Sequence, residues 1–443
     1  MTFPTAAAAA RATPPAASAP LPKGPVLGWR SLAGAQAAAL PWVGSLPHCV
    51  PTTSGRAALY QALRALQLRP GQTVLVPSYH CPTMVAPVVC AGLEPSFVAV
   101  GPDGLPRLDL VSRAQREAAG AIIVAHYFGV VRNLDPVRRW CDDHGIALIE
   151  DCAHALFGAA DGTPVGRWGD FCTASISKFL PVSEMGLLAS ARRPVAWQGQ
   201  APGARAQVKG AVDVFEQACR HGRPAVLAPL LRGLFHLKNR GLHPARLAAG
   251  EPPPSRPGDD EPSAAQMLTD CDMGRIEQAP VLAARLIHGL LPRGRLVARR
   301  QRNFDLYARL LHGLAGTHPL VPARPAESAP YVYPLWVDDA DRVYHALRLL
   351  GMPVFRWDRI WPGTPALAGD MGPQWSRHVL QLLCHQDLSS ADIRRVVDQL
   401  RTAVGHPAAR RPTHNSPARL RSRARTAKAA CRHNPPPTPQ HPP

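Results

Sequence analysis

Between Pro51 and Ser190 the chain alternates short apolar runs with stretches of helical spacing, and this alternation restricts its possible folds more than any other feature. Thr73–Val76, 96–100, Ala121–Ala125, Ile146–Ile149, Phe171–Ile176 and Gly186–Ala189 read as strands. Between them, Leu59, Ala62, Leu63 and Leu66 share one helix face after Thr53-Ser54-Gly55, another helix opens near Thr83, and Leu134–His144 reads as a third. Short strands that are apolar on both faces and separated by helices specify a mainly parallel α/β sheet covered on both sides. The 443 residues are enough for that large domain and a smaller second one. Tyr331–Val337, a helix near 340–350, Val354–Trp357 and a helix over 390–403 read as a C-terminal α+β domain, reached through a long helical stretch over roughly 275–313. The expected division is 1–25 as a disordered Ala/Pro-rich start, 26–265 as the large domain with an irregular insert at 195–265, 266–404 as the linking helix and small domain, and 405–443 as a disordered basic tail.

The formal charge of +19 raises the question of a nucleic-acid partner. Much of it lies after Gly405, where Arg410, Arg411, Arg419, Arg421, Arg423, Arg425, Lys428 and Arg432 face no acid. That segment is Pro-rich and aperiodic, so it reads as a solvated tail; contact with nucleic acid or anionic lipid is the alternative. Neither a helix-turn-helix nor an RNP-like motif accompanies it. Residues 1–24 are broken by Arg11 and by prolines, which argues against a signal peptide, and no apolar run is long enough to span a bilayer. Ten scattered cysteines without a Cys-x-x-Cys pair fit free thiols in a reducing compartment, with no metal site expected. The expected location is the cytoplasm.

The segments that carry chemistry fall where the parallel strands would end, the place where ligands bind in open α/β sheets. Ile146–Ile149 runs into Glu150-Asp151-Cys152-Ala153-His154, and Phe171–Ile176 runs into Lys178, 27 residues beyond Asp151. A lone carboxylate after a buried strand needs a partner. A pyridinium nitrogen is such a partner, and a lysine can condense with an aldehyde whereas arginine cannot. Asp151 and Lys178 together therefore point to pyridoxal 5'-phosphate, with Lys178 forming a Schiff base; the alternatives are a helix cap for Asp151 and a surface loop lysine for Lys178. Ser54-Gly55-Arg56 opens a helix whose N-terminus can take the phosphate, although capping by Ser54 alone would explain the serine. Thr173, Ser175 and Ser177 offer further hydroxyls. His154 reads either as a partner of the cofactor's phenolic oxygen or as a core histidine. His80, beside Tyr79 and Cys81, is a candidate to stack on the cofactor ring; the sequence leaves open which of the three faces it, and a purely structural turn is the alternative.

Taken together these segments resemble the DegT/StrS family of PLP-dependent nucleotide-sugar aminotransferases, which has the aspartate-aminotransferase fold of type I. The likeness rests on Ser54-Gly55-Arg56-Ala57-Ala58, Pro70-Gly71-Gln72-Thr73-Val74 through Pro77, Glu150 to His154, Val165-Gly166 with Gly169-Asp170, and Lys178 with Glu184. Leu382 to Leu388 and Arg299-Arg300, Asn303 and Tyr307 extend it more weakly. The resemblance implies that Asp151 meets the pyridine nitrogen, that Lys178 holds the cofactor and that Thr173 binds its phosphate. It also implies a homodimer transferring an amino group from an amino acid, expected to be glutamate, to a keto-sugar nucleotide for polysaccharide or secondary-metabolite biosynthesis. Arg56 stands where the family has threonine, Cys81 where an aromatic is common, and Ser183 and Met185 where it has glycines. These departures keep two rivals open: a divergent regulatory or scaffold protein, and another PLP reaction such as sugar dehydration, which the retained lysine argues against.

Overall fold

The computed structural model describes residues 21–34, 40–223 and 263–405. The expectations for residues 1–20, for the part of the insert at 224–262 and for the tail beyond 405 lie outside the described residues.

From the start of the sheet the elements are β1 (His48–Thr52), α1 (Gly55–Ala65), β2 (Thr73–Pro77), α2 (Pro82–Cys90), β3 (Glu94–Val98), α3 (Arg113–Ala118), β4 (Ala119–Ala125), α4 (Asp135–His144) and β5 (Ala147–Asp151). A small hairpin of β6 (Ala159–Ala160) and β7 (Thr163–Pro164) precedes β8 (Phe171–Ser175) and β9 (Gly186–Ser190). These form a seven-stranded sheet in the order β1-β9-β8-β5-β4-β2-β3. β9 alone runs against its neighbours, pairing antiparallel with both β8 and β1. The parallel α/β core is therefore as the sequence predicts. Pro95 sits in β3, which is tolerated because β3 is an edge strand and can forgo a ladder donor.

The Gly-x-x-Gly-Asp segment after β7 anchors the centre of this sheet. The buried Glu150 carboxylate accepts the Gly169 N–H at 2.6 Å and the Gly166 N–H at 2.9 Å. A Cβ on Gly169 would lie 2.4 Å from the Phe171 carbonyl oxygen, so no larger residue fits there. Asp170 accepts from the Leu148 N–H and pairs with Arg138, both at 2.9 Å, and with Arg193. The motif is scaffold: it fixes the loop before β8 against β5.

Two segments differ from expectation. The stretch read as irregular contains the amphipathic α5 (Ala204–Arg220) and, beyond the undescribed part, α6 (Ala264–Asp270). The single long helix expected over 275–313 is two, α7 (Leu282–Leu290) and α8 (Arg293–Leu311). Pro292 forces the break: it lacks an N–H and drives Leu291 into extended backbone (ψ 132°).

The remaining elements are β10 (Thr317–Pro319), β11 (Val332–Val337), α9 (Ala340–Leu349), β12 (Val354–Phe355), α10 (Gly372–His378), β13 (Val379–Leu383) and α11 (Ser390–Gly405). The strands form an antiparallel sheet in the order β10-β11-β13-β12. β13, whose Leu382 and Leu383 the sequence shows only as part of a motif, is with β11 one of the two central strands. No described helix is long and apolar enough to cross a membrane.

Candidate active site

Parallel pairing of β5 with β8 sets Asp151 directly beside Thr173, and β4 brings Ala125 level with Asp151. The register thus delivers three strand ends to one rim. Lys178 follows β8 in a short 3-10 turn. A cavity of about 720 Å³ opens on this rim, and Ser54, Gly55, Arg56, Asp151, His154, Thr173, Ser175 and Lys178 all line it. The carboxylate and the lysine expected to share a cofactor therefore face the same space.

α1 enters the cavity by its N-terminus. Ser54 caps it, its hydroxyl accepting the Ala57 N–H at 3.2 Å, so the capping explanation of this serine holds as well. Gly55 keeps the approach open, since a Cβ there would lie 3.2 Å from the Ser175 Cβ. Gly186 does the same from β9, where a Cβ would meet the Ser54 backbone at 2.3 Å. The Ser175 and Ser177 hydroxyls are 3.3 Å apart on the same wall. Arg56 reaches the cavity with its guanidinium engaged elsewhere: it donates to Glu184 at 2.7 Å and to the Asp272 carbonyl at 3.1 Å. Arg275, which sequence reasoning missed, holds the other Glu184 oxygen at 2.9 Å. Nothing around Arg275 in sequence marks it; it reaches the site from the turn between α6 and α7.

Electrostatics follow from enclosure. Burial pushes the Lys178 amine below the ordinary lysine range, against the pull of Cys81 and Asp151. Burial likewise raises the Asp151 carboxyl, opposed by the Ala153 N–H (2.8 Å from its Oδ1), Lys178 and His126. His154 is held well below its usual range by burial and then by Lys178, so it is neutral. Its ring stacks on Tyr331 with centroids 4.4 Å apart and packs on Trp357 at 4.8 Å. The Lys178 Nζ lies 5.4 Å from the Tyr331 ring centroid.

His80 is the expected site residue that the structure takes away. It is fully buried and stacks on Phe97, its Nδ1 donating to the Pro77 carbonyl at 2.9 Å and its Nε2 accepting the Trp361 N–H at 2.9 Å. With both nitrogens and a face committed to the core, it does not line the cavity; its neighbour Cys81 does. The structural-turn alternative is the correct one for His80.

His126, which lines the cavity, and Glu150 and Cys152 behind it place ligand-type atoms within 4.8 Å of one another, a cluster that sequence spacing did not reveal. Hydrogen bonds already engage its strongest donor set. The Arg132 N–H donates to His126 Nδ1, so Nε2 carries the proton and donates to Glu150 at 3.1 Å.

Lys178 is also held from its backbone side. Arg300, fully buried on α8, donates to the Lys178 carbonyl at 2.7 Å, to Gln386 Oε1 at 3.1 Å and to the Pro330 and Tyr331 carbonyls at 3.2 and 3.5 Å. Burial lowers its pKa to about 10. A second cavity of about 200 Å³ reaches Lys178 from the far side, walled by Tyr331, Phe355 and the strap Lys23–Pro25. His385 Nε2 donates to the Pro22 carbonyl and Asp387 accepts the Val26 N–H, which pins that strap.

Residues 38–190 match the DegT/DnrJ/EryC1/StrS aminotransferase family. The chain is 32% identical to GDP-perosamine synthase of Vibrio cholerae over 146 residues, covering 32% of this chain and 40% of that protein. It is 39% identical to the lipopolysaccharide biosynthesis protein RfbH of Salmonella typhimurium over 139 residues (29% and 32% of the two chains). The matched part therefore spans less than half the length of these curated relatives. Among solved structures, DesI with its TDP-sugar product aligns with a TM-score of 0.56 at 22% identity, over 82% of each chain. The PLP form of Spr1654, described as a putative sugar aminotransferase from Streptococcus pneumoniae, aligns at 0.56 and 18% identity over 87% of this chain and 98% of that one. The resemblance read in the sequence therefore holds: over residues 38–190 the chain matches the DegT/DnrJ/EryC1/StrS aminotransferase family, in a fold that it shares with DesI and Spr1654.

Proposed function

We propose that this chain is a PLP-dependent aminotransferase that moves an amino group from an amino acid, glutamate by expectation, to a keto-sugar nucleotide. The observation that carries this reading is the shared cavity of Asp151 and Lys178, closed at one end by the glycine-lined N-terminus of α1. The residues fit the cofactor. Ser54, Gly55, Thr173 and Ser175 would hold the phosphate, Asp151 the ring nitrogen, His154 the phenolic oxygen and Lys178 the aldehyde carbon. Held there, pyridoxal phosphate supplies an aldehyde for an amine and an electron sink for a substrate carbanion.

The chain's own part is binding and proton handling. The helix N-terminus and hydroxyls favour a phosphate dianion. The half-buried Asp151 gains a cationic partner that offsets its desolvation. Burial increases the neutral fraction of Lys178, so that its Nζ can attack a carbonyl and later carry a proton to or from the substrate carbon. Neutral His154 can donate or accept a hydrogen bond without competing for the phosphate.

Three relatives' names support the substrate class: a GDP-perosamine synthase, a lipopolysaccharide biosynthesis protein, and the dTDP-4-dehydro-2,3,6-trideoxy-D-glucose 4-aminotransferase of Saccharopolyspora spinosa. A role in polysaccharide or secondary-metabolite biosynthesis accords with them. The nine described cysteines are all free, which supports a cytoplasmic setting. Leu282, Leu286 and Leu290 lie exposed along one face of α7, and a second copy covering them is the homodimer we propose.

The test is uptake of pyridoxal phosphate by the purified protein, its colour bleached by borohydride, followed by a screen of amino acids against keto-sugar nucleotides. Colour and amine transfer should both vanish in Lys178→Ala. Their survival in that variant would refute the assignment.

A further inference from the structure

We infer that Trp357 lies against the heteroaromatic ring of the cofactor and holds it from the side of the small sheet, a part that Cys81 does not play. The inference rests on the proposed use of the 720 Å³ cavity for pyridoxal phosphate. Among the described residues lining that cavity, Trp357 is the sole phenylalanine, tyrosine or tryptophan. Cys81, at the end of the loop after β2, is small, and its thiol is 2.9 Å from the Thr83 hydroxyl.

Position favours Trp357. It lies two residues past β12, is partly buried, and packs on His154 at 4.8 Å and on Tyr79 at 5.1 Å. Tyr79 is itself part of a buried aromatic cluster with Tyr127, Phe128 and Trp375. The cluster thus backs one indole that lines the cavity which Asp151 and Lys178 also line. Chemistry favours it too. A pyridine ring kept protonated by a carboxylate is electron-poor, and indole is the side chain whose face best attracts such a ring. Since Trp357 belongs to the segment after β12, cofactor retention then depends on the small sheet as well as on the strand ends.

The experiment titrates cofactor-free protein with pyridoxal phosphate and reads the dissociation constant. Trp357→Ala should weaken binding roughly tenfold, and Trp357→Phe by no more than about threefold, as loss or retention of a ring contact requires. Adding Cys81→Phe to Trp357→Ala should recover most of the loss, which a purely structural role for Trp357 would not allow. Parent and Trp357→Ala constants within about twofold of each other overturn the inference and leave the proposed function standing. A parent protein that takes up no pyridoxal phosphate overturns the function itself. Should Trp357→Ala fail to fold, energy transfer from indole to bound cofactor decides. Loss of most of that transfer in Trp357→Phe supports the contact, and unchanged transfer refutes it.

Discussion

Glu150→Gln tests whether the buried carboxylate behind the site is the anchor that its contacts describe. Glu150 is fully buried and accepts three hydrogen bonds, from the Gly166 N–H, the Gly169 N–H and His126 Nε2. A glutamine keeps one acceptor oxygen but turns an NH₂ toward a backbone N–H, which leaves one donor unsatisfied. An orphaned buried donor costs about 1–3 kcal/mol, and the surviving bonds lose roughly 1 kcal/mol in charge assistance, so the sum is about 3 kcal/mol. At about 2.1 cal/mol/K of unfolding entropy per residue, the roughly 340 described residues convert this to a drop of about 4 °C in Tm. The assay is thermal melting of cofactor-free protein followed by circular dichroism. Glu150→Ala, which strands all three donors, should fall further. A Glu150→Gln midpoint within about 1 °C of the parent would refute the reasoning, because it would mean the carboxylate carries no net load.

Other outcomes follow from the same contacts. His80, His288 and His385 are each pushed down to about 4, by burial first. The unfolded chain therefore binds more protons than the native one between about 6.5 and 4, so stability should decline as pH falls through that window. Denaturant midpoints measured across it should show a shallower decline in His80→Gln. Arg56→Ala should change cofactor affinity by less than about threefold, because its ion pair with Glu184 is partly exposed and Arg275 still holds that carboxylate. Titration with pyridoxal phosphate checks this. Leu286→Lys should convert the proposed homodimer to monomer in sedimentation, since it sets a charge in the middle of the exposed leucine row.

Much of the site was legible because the parallel sheet makes it so. Once Ile146–Ile149 and Phe171–Ile176 are read as neighbouring parallel strands, Asp151 and Lys178 must emerge on one rim. Gly55 was legible because a glycine at a helix start after Ser54 suits a phosphate, whereas Gly186 was not, since the crowding that selects it comes from Ser54, far away in sequence. His80 was not. The loop after β2 can turn any of three consecutive residues to the cavity, and only the hydrogen bond from Trp361, far along the chain, decides the matter. Arg275 and Trp357 escaped notice because each was read only as the edge of an expected helix or strand, and a local pattern does not say that its end meets a cavity built by distant segments. The break at Pro292 could have been read: a proline inside an expected helix was the signal, and the flanking apolar spacing outweighed it.

Arg300 carries a consequence beyond positioning Lys178. One guanidinium bridges the lysine turn, the start of β11 and the segment after β13, and it satisfies its donors on carbonyl oxygens from all three. Separating the antiparallel sheet from the lysine turn would break these hydrogen bonds together, which couples the two sheets. Calorimetry of the protein should accordingly record one cooperative endotherm for the two sheets, melting together rather than in sequence.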